Sequence, residues 1–188
     1  ASTFISRFTT RCPPPPPELG KAWEVGAKND LPGRVTGTLA LYDIHKRNVM
    51  VSELVDGESV TRTADKVRSQ GVELALARTL TRTLSLVGSY AYTDARVTAD
   101  PENRGNELTN EARHTAALFL TNDFGATGLL PADDLRAGIG ARYVDRRPGD
   151  AANSFYLDDY TVADAFVAWT TPIDSYRVKW QVNVKNLF

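Results

Sequence analysis

Tyr176-Arg177-Val178-Lys179-Trp180-Gln181-Val182-Asn183-Val184-Lys185-Asn186-Leu187-Phe188 decides how the rest of the 188-residue sequence is read. At period two, Tyr176, Val178, Trp180, Val182 and Val184 fall on one face, and Arg177, Lys179, Gln181, Asn183 and Lys185 on the other. That is the pattern of a strand whose two sides meet different surroundings. At ~3.3 Å per residue the segment spans most of a bilayer's hydrocarbon core even when tilted, and its apolar face starts with an aromatic, as an interfacial anchor does. These residues alone leave two readings open, a stave of a membrane barrel or an unusually long strand of a soluble sheet.

Working outward, seven further stretches carry the same period. Residues 21–29 set Trp23, Val25 and Ala27 against Glu24, Gly26 and Lys28, and Asp30-Leu31-Pro32-Gly33 reads as a tight turn into a second strand at 34–51. A third strand is expected at 66–78, a fourth at 83–97, a fifth at 113–122, a sixth at 135–145 and a seventh at 159–171, with Thr171-Pro172-Ile173-Asp174 as the turn into the last. The polar stretches 52–64, 98–110 and 146–158 read as long loops, 123–134 as a looser connection and 79–82 as a short turn. Strands this long exceed the usual ~5 to 6 residues. Short and long connections broadly alternate, as an up-and-down meander across a membrane requires.

Composition excludes several classes without choosing between the two readings. The formal net charge of -1 comes from 22 Lys and Arg against 23 Asp and Glu, so no basic block marks a nucleic acid as partner. Mean hydropathy is -0.30, and no apolar run approaches the ~18 residues of a transmembrane helix; transmembrane strands escape that test because alternation averages their hydropathy away. Cys12 is the sole cysteine, so there is no internal disulfide and no thiolate cluster for zinc or iron–sulfur. Residues 1–11 lack the pattern of a signal peptide, so any export signal is expected to be removed or to lie upstream. Pro13 to Pro17 cannot enter a ladder, which places residues 1–17 outside the sheet as a Pro-rich linker or loop.

Several stretches, in order, resemble the C-terminal half of TonB-dependent outer-membrane siderophore receptors. Gly20-Lys21-Ala22-Trp23-Glu24-Val25-Gly26-Ala27-Lys28 is similar to the family's G-K-x-[YW]-E-x-G-x-K strand, and 44–51, with Arg47-Asn48-Val49, to the strand after it. Ser69-Gln70-Gly71-Val72-Glu73-Leu74 and Ser89-Tyr90-Ala91-Tyr92-Thr93-Asp94-Ala95 resemble the next two motifs. Gly105-Asn106 with Arg113-His114-Thr115-Ala116 resembles the following strand entry, with Ala112 where the family usually carries proline. Val182-Asn183-Val184-Lys185-Asn186-Leu187-Phe188 is similar to the N-[VL]-x-N-[LI]-F near the receptors' C-terminus.

The resemblance implies an all-β fold, an antiparallel up-and-down meander of about eight long strands forming part of a transmembrane β-barrel. Residues 18–188 would be a partial barrel lacking the plug and the final strand, against ~22 strands in the complete transporters. It also implies a non-enzymatic receptor in the outer membrane of a Gram-negative bacterium, surrounded by lipid. No cofactor is bound directly; a ferric siderophore is the cargo, and the TonB complex is engaged through parts absent from these residues. Two alternatives remain: a small self-closing eight-stranded barrel of structural or adhesive role, in which 18–29 pairs with 176–188, and a soluble β-sandwich binding domain.

Arg136, Arg142, Arg177, Lys179 and Lys185 are the candidate lumen-facing cations, either lining a path for anionic ligands or, more commonly, forming a hydrated wall. Trp23, Tyr90, Tyr92, Tyr143, Trp169, Tyr176 and Trp180 are the candidate membrane-girdle aromatics. His45 and His114 lack a second ligand at metal spacing and read as ordinary strand or rim histidines. Glu73, Asp94 and Asp164 sit on separate strands among small residues, as lumen charges would, and form no catalytic pair. No nucleophile elbow, phosphate loop or dinucleotide fingerprint occurs.

Overall fold

The computed structural model describes residues 17–31, 35–55, 58–126 and 134–187. Ten strands form from them: β1 (Leu19–Leu31), β2 (Val35–Val55), β3 (Glu58–Thr79), β4 (Leu84–Ala99), β5 (His114–Gly125), β6 (Leu135–Val144), β7 (Arg147–Pro148), β8 (Tyr156–Leu157), β9 (Tyr160–Ile173) and β10 (Tyr176–Val184). Eight of them make one antiparallel sheet in the order β1-β2-β3-β4-β5-β6-β9-β10, and β7 pairs with β8 in a separate ribbon. The expected meander is the observed one. Among the described residues β1 touches only β2 and β10 only β9, so the sheet is open, and the edge pairing that a self-closing eight-stranded barrel needs is not made.

The register explains why alternation in the sequence becomes two unlike surfaces. Val25 stands opposite Leu41, Leu41 opposite Val72 and Val72 opposite Tyr92; farther along, Leu86 faces Leu120, Leu120 faces Ile139, Ile139 faces Ala165 and Ala165 faces Val184. Directly paired residues share a face, so the aliphatic positions of all eight strands merge into one apolar wall. Its side chains are open: Val25 is 57% exposed and Ile139 56%. A soluble sheet would cover such a surface, whereas the lipid-facing side of a barrel presents it. The opposite face carries small and polar residues, for example the row Ala75, Ser89, Ala117, Arg142, Val162.

Several boundaries differ from the sequence reading. Residues 52–64 are not a long loop, because β2 and β3 stay paired as far as Val55 opposite Glu58. Val55, Val60, Thr61 and Thr63 favour extension there, and Asp56-Gly57, which fall outside the described residues, are a typical hairpin dipeptide. At ~3.3 Å per residue these strands of 21 and 22 residues run about 70 Å, more than twice the hydrocarbon thickness, so their distal part stands clear of the bilayer. The 146–158 loop contains the β7–β8 ribbon. The last turn is Asp174-Ser175 rather than 171–174; Pro172 stays in β9 opposite Arg177, beyond Ala168 where pairing with β6 ends, so its missing donor interrupts no central ladder. β10 ends at Val184, four residues earlier than expected. Asp30 and Leu31 stay in β1 rather than turning; Pro13 to Pro16, Pro32-Gly33 and most of 123–134 lie outside the described residues.

The only tightly buried cluster among the described residues lies at the loop end: Val67, Val97 and Ala151, joined by Val49 and Leu108. Val67 shares the small-residue face, being opposite Lys46, and Val97 is opposite Val67. The long connections therefore fold over that face and leave the apolar wall uncovered.

Candidate functional site

Four of the candidate lumen cations are placed on the polar face by the ladder itself. Arg136 stands opposite Asp123 and Ala168, Arg142 between Ala117 and Val162, Lys179 opposite Thr170, and Arg177 opposite Pro172. Arg177 also donates to the Asp134 carboxylate at 3.0 Å. Lys185 lies just beyond β10 and lines a groove of about 700 Å³ together with Ser89, Ala117, Phe119, Arg142 and Asp164. Glu24 and Glu73 share the face, so this side of the wall carries charges of both signs among small residues. Phe119 and Phe166 stack there with ring centroids 6.0 Å apart, over glycines of β6.

All seven candidate girdle aromatics fall on the apolar face, in two groups. Trp23, Tyr90, Tyr92 and Tyr143 lie toward the long connections, while Trp169, Tyr176 and Trp180 lie toward the short turns, with Trp169 directly opposite Trp180. The Tyr90 hydroxyl and His114 Nδ1 are 2.8 Å apart, the Tyr92 ring is 5.2 Å from the His114 ring, and the Tyr143 hydroxyl donates to Asp145 at 3.3 Å. Apolar bodies with polar tips turned toward the loop end suit a membrane–water boundary.

The histidines are engaged separately: His114 by these tyrosines, and His45 by Asp43 at 3.1 Å. Among the described residues no group of three His, Cys, Asp or Glu could hold a metal ion. Glu73 and Asp164 are on the polar face, but Asp94 is not: it stands opposite Gln70 on the other face, beyond the apolar band, and pairs with Arg96 at 2.8 Å. The sequence placed it among small lumen residues because period two gives only relative sides, and the outer end of the apolar face has turned polar.

At the loop end the connections 100–113 and 145–159 are locked together, which the sequence did not reveal. Asn106 Nδ2 donates to the Ala151 carbonyl at 3.0 Å; Asn153 accepts from the Glu107 amide at 2.8 Å and donates to its carbonyl at 3.0 Å. Arg147 Nε donates to Asn110 Oδ1 at 2.7 Å, Arg113 pairs with Glu107, and buried Asp150 accepts from the Ser154 amide and hydroxyl. The asparagines are the only sequence signal, since αL turns favour this residue, and Asn110 and Asn153 do sit at positive φ.

The comparisons agree with this geometry. The family model "TonB dependent receptor-like, beta-barrel" matches residues 8–187. The metal-pseudopaline receptor CntO of Pseudomonas aeruginosa is 39% identical over 92% of the chain and 24% of its own length. The ferrichrome outer membrane transporter/phage receptor of Escherichia coli is 36% identical over 81% of the chain and 20% of its own length. Thus the chain spans about a quarter of the length of these curated relatives. The ferric preacinetobactin receptor BauA of Acinetobacter baumannii has the same fold, with a TM-score of 0.73 at 21% identity over 92% of the chain and 26% of BauA. These are outer-membrane receptors and transporters, not enzymes. An open meander with one lipid-suited face and one polar face, matched across nearly its whole length by that family model, belongs to the β-barrel of the TonB-dependent receptors of the Gram-negative outer membrane.

Proposed function

We propose that residues 18–188 form part of the wall of a receptor that takes up ferric siderophores in a TonB-dependent way, with residues 1–17 outside the barrel and the plug and remaining strands lying beyond this stretch. The observation that carries this is the register: it gathers the apolar side chains of eight strands on one face and Arg136, Arg142, Arg177 and Lys179 on the other. A wall of that kind separates lipid from a hydrated lumen. The five cations, Lys185 included, face the lumen; mixed with Glu24, Glu73 and Asp164 they keep it wetted against a plug. The seven aromatics form the two girdles. The locked connections 100–113 and 145–159 supply part of the outer surface at which an iron chelate is captured, and an inner-membrane partner acting on the plug drives its release inward. Relatives named for ferrichrome and metal-pseudopaline support a metal chelate as the cargo class.

The test is growth. A siderophore-deficient strain stripped of its own receptors is given the complete gene and fed iron as ferrichrome, ferrioxamine or other chelates under iron limitation. Growth on at least one chelate, abolished by deleting TonB, is expected. Correct insertion without rescue or uptake of any iron chelate would refute the siderophore reading while leaving the barrel intact.

A further inference from the structure

On the polar face, β9 sets the rows in which three cations reach the lumen side toward its outer end. Tyr160 lies opposite Val144, Val162 opposite Arg142 and Asp164 opposite Gly140, while Lys185 and Asn186 together face Asp164 from the β10 side. Arg147 stands over the Tyr160 ring at 5.4 Å. Arg147, Arg142 and Lys185 thus occupy three consecutive rows, about 7 Å apart at ~3.3 Å per residue. None of them forms an ion pair among the described residues. Arg147 Nε donates to the neutral Asn110 Oδ1 at 2.7 Å, and its Nη1 is buried without a hydrogen-bond partner. Asp164 is the one acid lining the groove of about 700 Å³ beside Arg142 and Lys185, and its carboxylate accepts from the Asn186 amide at 2.9 Å. At the far end of the Tyr160 row, on β3, the sheet carries Glu73.

Resting on the receptor reading above, we infer that the cargo is a metal chelate with net negative charge on ionised oxygens, and that Arg147, Arg142 and Lys185 draw it down the β6–β10 side of the lumen. Wetting a wall needs polar groups of any kind. Here the fold instead leaves three positive charges without counterions and one guanidinium N–H without an acceptor. A charge held partly out of water without a partner costs free energy, and an anionic oxygen arriving through the lumen supplies the missing acceptor and the missing counterion together. Cations in successive rows let the anion pass from one to the next, each contact weak enough to release it. Glu73 across the sheet repels the same cargo, so the field within the lumen has a direction. A neutral or cationic chelate gains nothing from that field.

The complete receptor is produced in the siderophore-deficient, receptor-stripped strain, and TonB-dependent uptake of radioactive iron is measured from ferric citrate, ferrichrome, and ferrioxamine B with its N-acetyl and N-succinyl derivatives. The last three share one iron centre and are cationic, neutral and anionic in turn. Uptake is expected to be most efficient for an anionic chelate. Arg142→Gln with Lys185→Gln keeps the wall polar, yet it should lower uptake of that chelate on the order of tenfold or more, with little change for a neutral one. Arg142→Lys with Lys185→Arg should keep the preference, and Lys185→Gln alone serves if the glutamine pair fails to insert. A neutral or cationic chelate taken up best, or an anion preference that the glutamine pair leaves intact, overturns the inference while the receptor reading stands. So does an equal loss for neutral and anionic chelates in a variant that still migrates as a heat-modifiable barrel, which would mark general hydration. Correct insertion with uptake of no chelate refutes the receptor reading, and this inference with it.

Discussion

Phe119 of β5 lies directly opposite Gly140 of β6, and its ring occupies the space a side chain at Gly140 would need. A Cβ built on Gly140 overlaps the Phe119 ring and comes 2.8 Å from the Leu118 carbonyl oxygen; one built on Gly138 runs into Phe166 and Phe119. The two glycines are thus a recess for a stacked pair whose planes differ by 5°. A barrel wall has no second layer, so large polar-face side chains pack sideways over the neighbouring strand.

Gly140→Ala should therefore lower the stability of the folded barrel by about 1–3 kcal/mol, the range for overpacking. Urea titration in lipid vesicles measures it. In the double variant Phe119→Ala, Gly140→Ala the loss should be smaller than the sum of the singles; additive losses would mean that the ring and the glycine do not share that space.

The two faces make opposite demands on a new charge. Ile139→Arg on the apolar face should cost about 2–4 kcal/mol near the membrane midplane, whereas Ser89→Arg on the polar face should change stability little, as lumen substitutions generally do. Both positions are exposed, so loss of packing does not confuse the comparison. Folded fractions read from heat-modifiable migration decide it, and equal losses at the two sites would contradict the assignment of faces.

What was legible in the sequence is what depends on the nearest neighbours in the chain. Val178, Trp180 and Val182 alternate with Lys179, Gln181 and Asn183, and that alone gave the strand and its two sides. Residues 52–64 mislead because their polarity reads as a loop, although a hairpin beyond the bilayer has no apolar face to show. The loop lock was illegible for another reason: Asn106 and Ala151 are 45 residues apart, and no local period encodes such a contact. Nor does any single strand display the row Lys21, His45 and Arg68, which forms only when the register sets His45 between the other two.

The end of β10 shows why its sequence pattern stops being periodic. Val184 pairs with Ala165, but the Leu187 amide donates to the Ala163 carbonyl at 2.9 Å, so Lys185 and Asn186 together oppose Asp164. This is a bulge, with Asn186 at φ 56° and its amide donating to the Asp164 carboxylate at 2.9 Å. Asn186→Gly should be nearly neutral, because glycine adopts this conformation freely. Asn186→Val should cost about 1–3 kcal/mol, the penalty for forcing a branched residue there. The same urea titration separates them; equal effects would remove backbone conformation as the reason for asparagine.

The last test concerns the outer connections. Asn153 contributes in two separable ways: its side chain bonds both the amide and the carbonyl of Glu107, and its backbone sits at φ 56°. Asn153→Gly removes the bonds and keeps the conformation, whereas Asn153→Ala removes the bonds and strains the backbone as well. Losing a side-chain bond that leaves a partner unsatisfied costs about 1–3 kcal/mol, and ~1.4 kcal/mol is a factor of ten in an equilibrium. Amides in 100–113 should therefore exchange with deuterium at least about tenfold faster in Asn153→Gly, and faster still in Asn153→Ala. Exchange within β5 and β6 should not change, because their ladder does not involve Asn153. Acceleration spreading into those strands would mean that the connections and the wall open as one unit, and no acceleration at all would mean that the two connections are held by Asn106 and Arg147 without it.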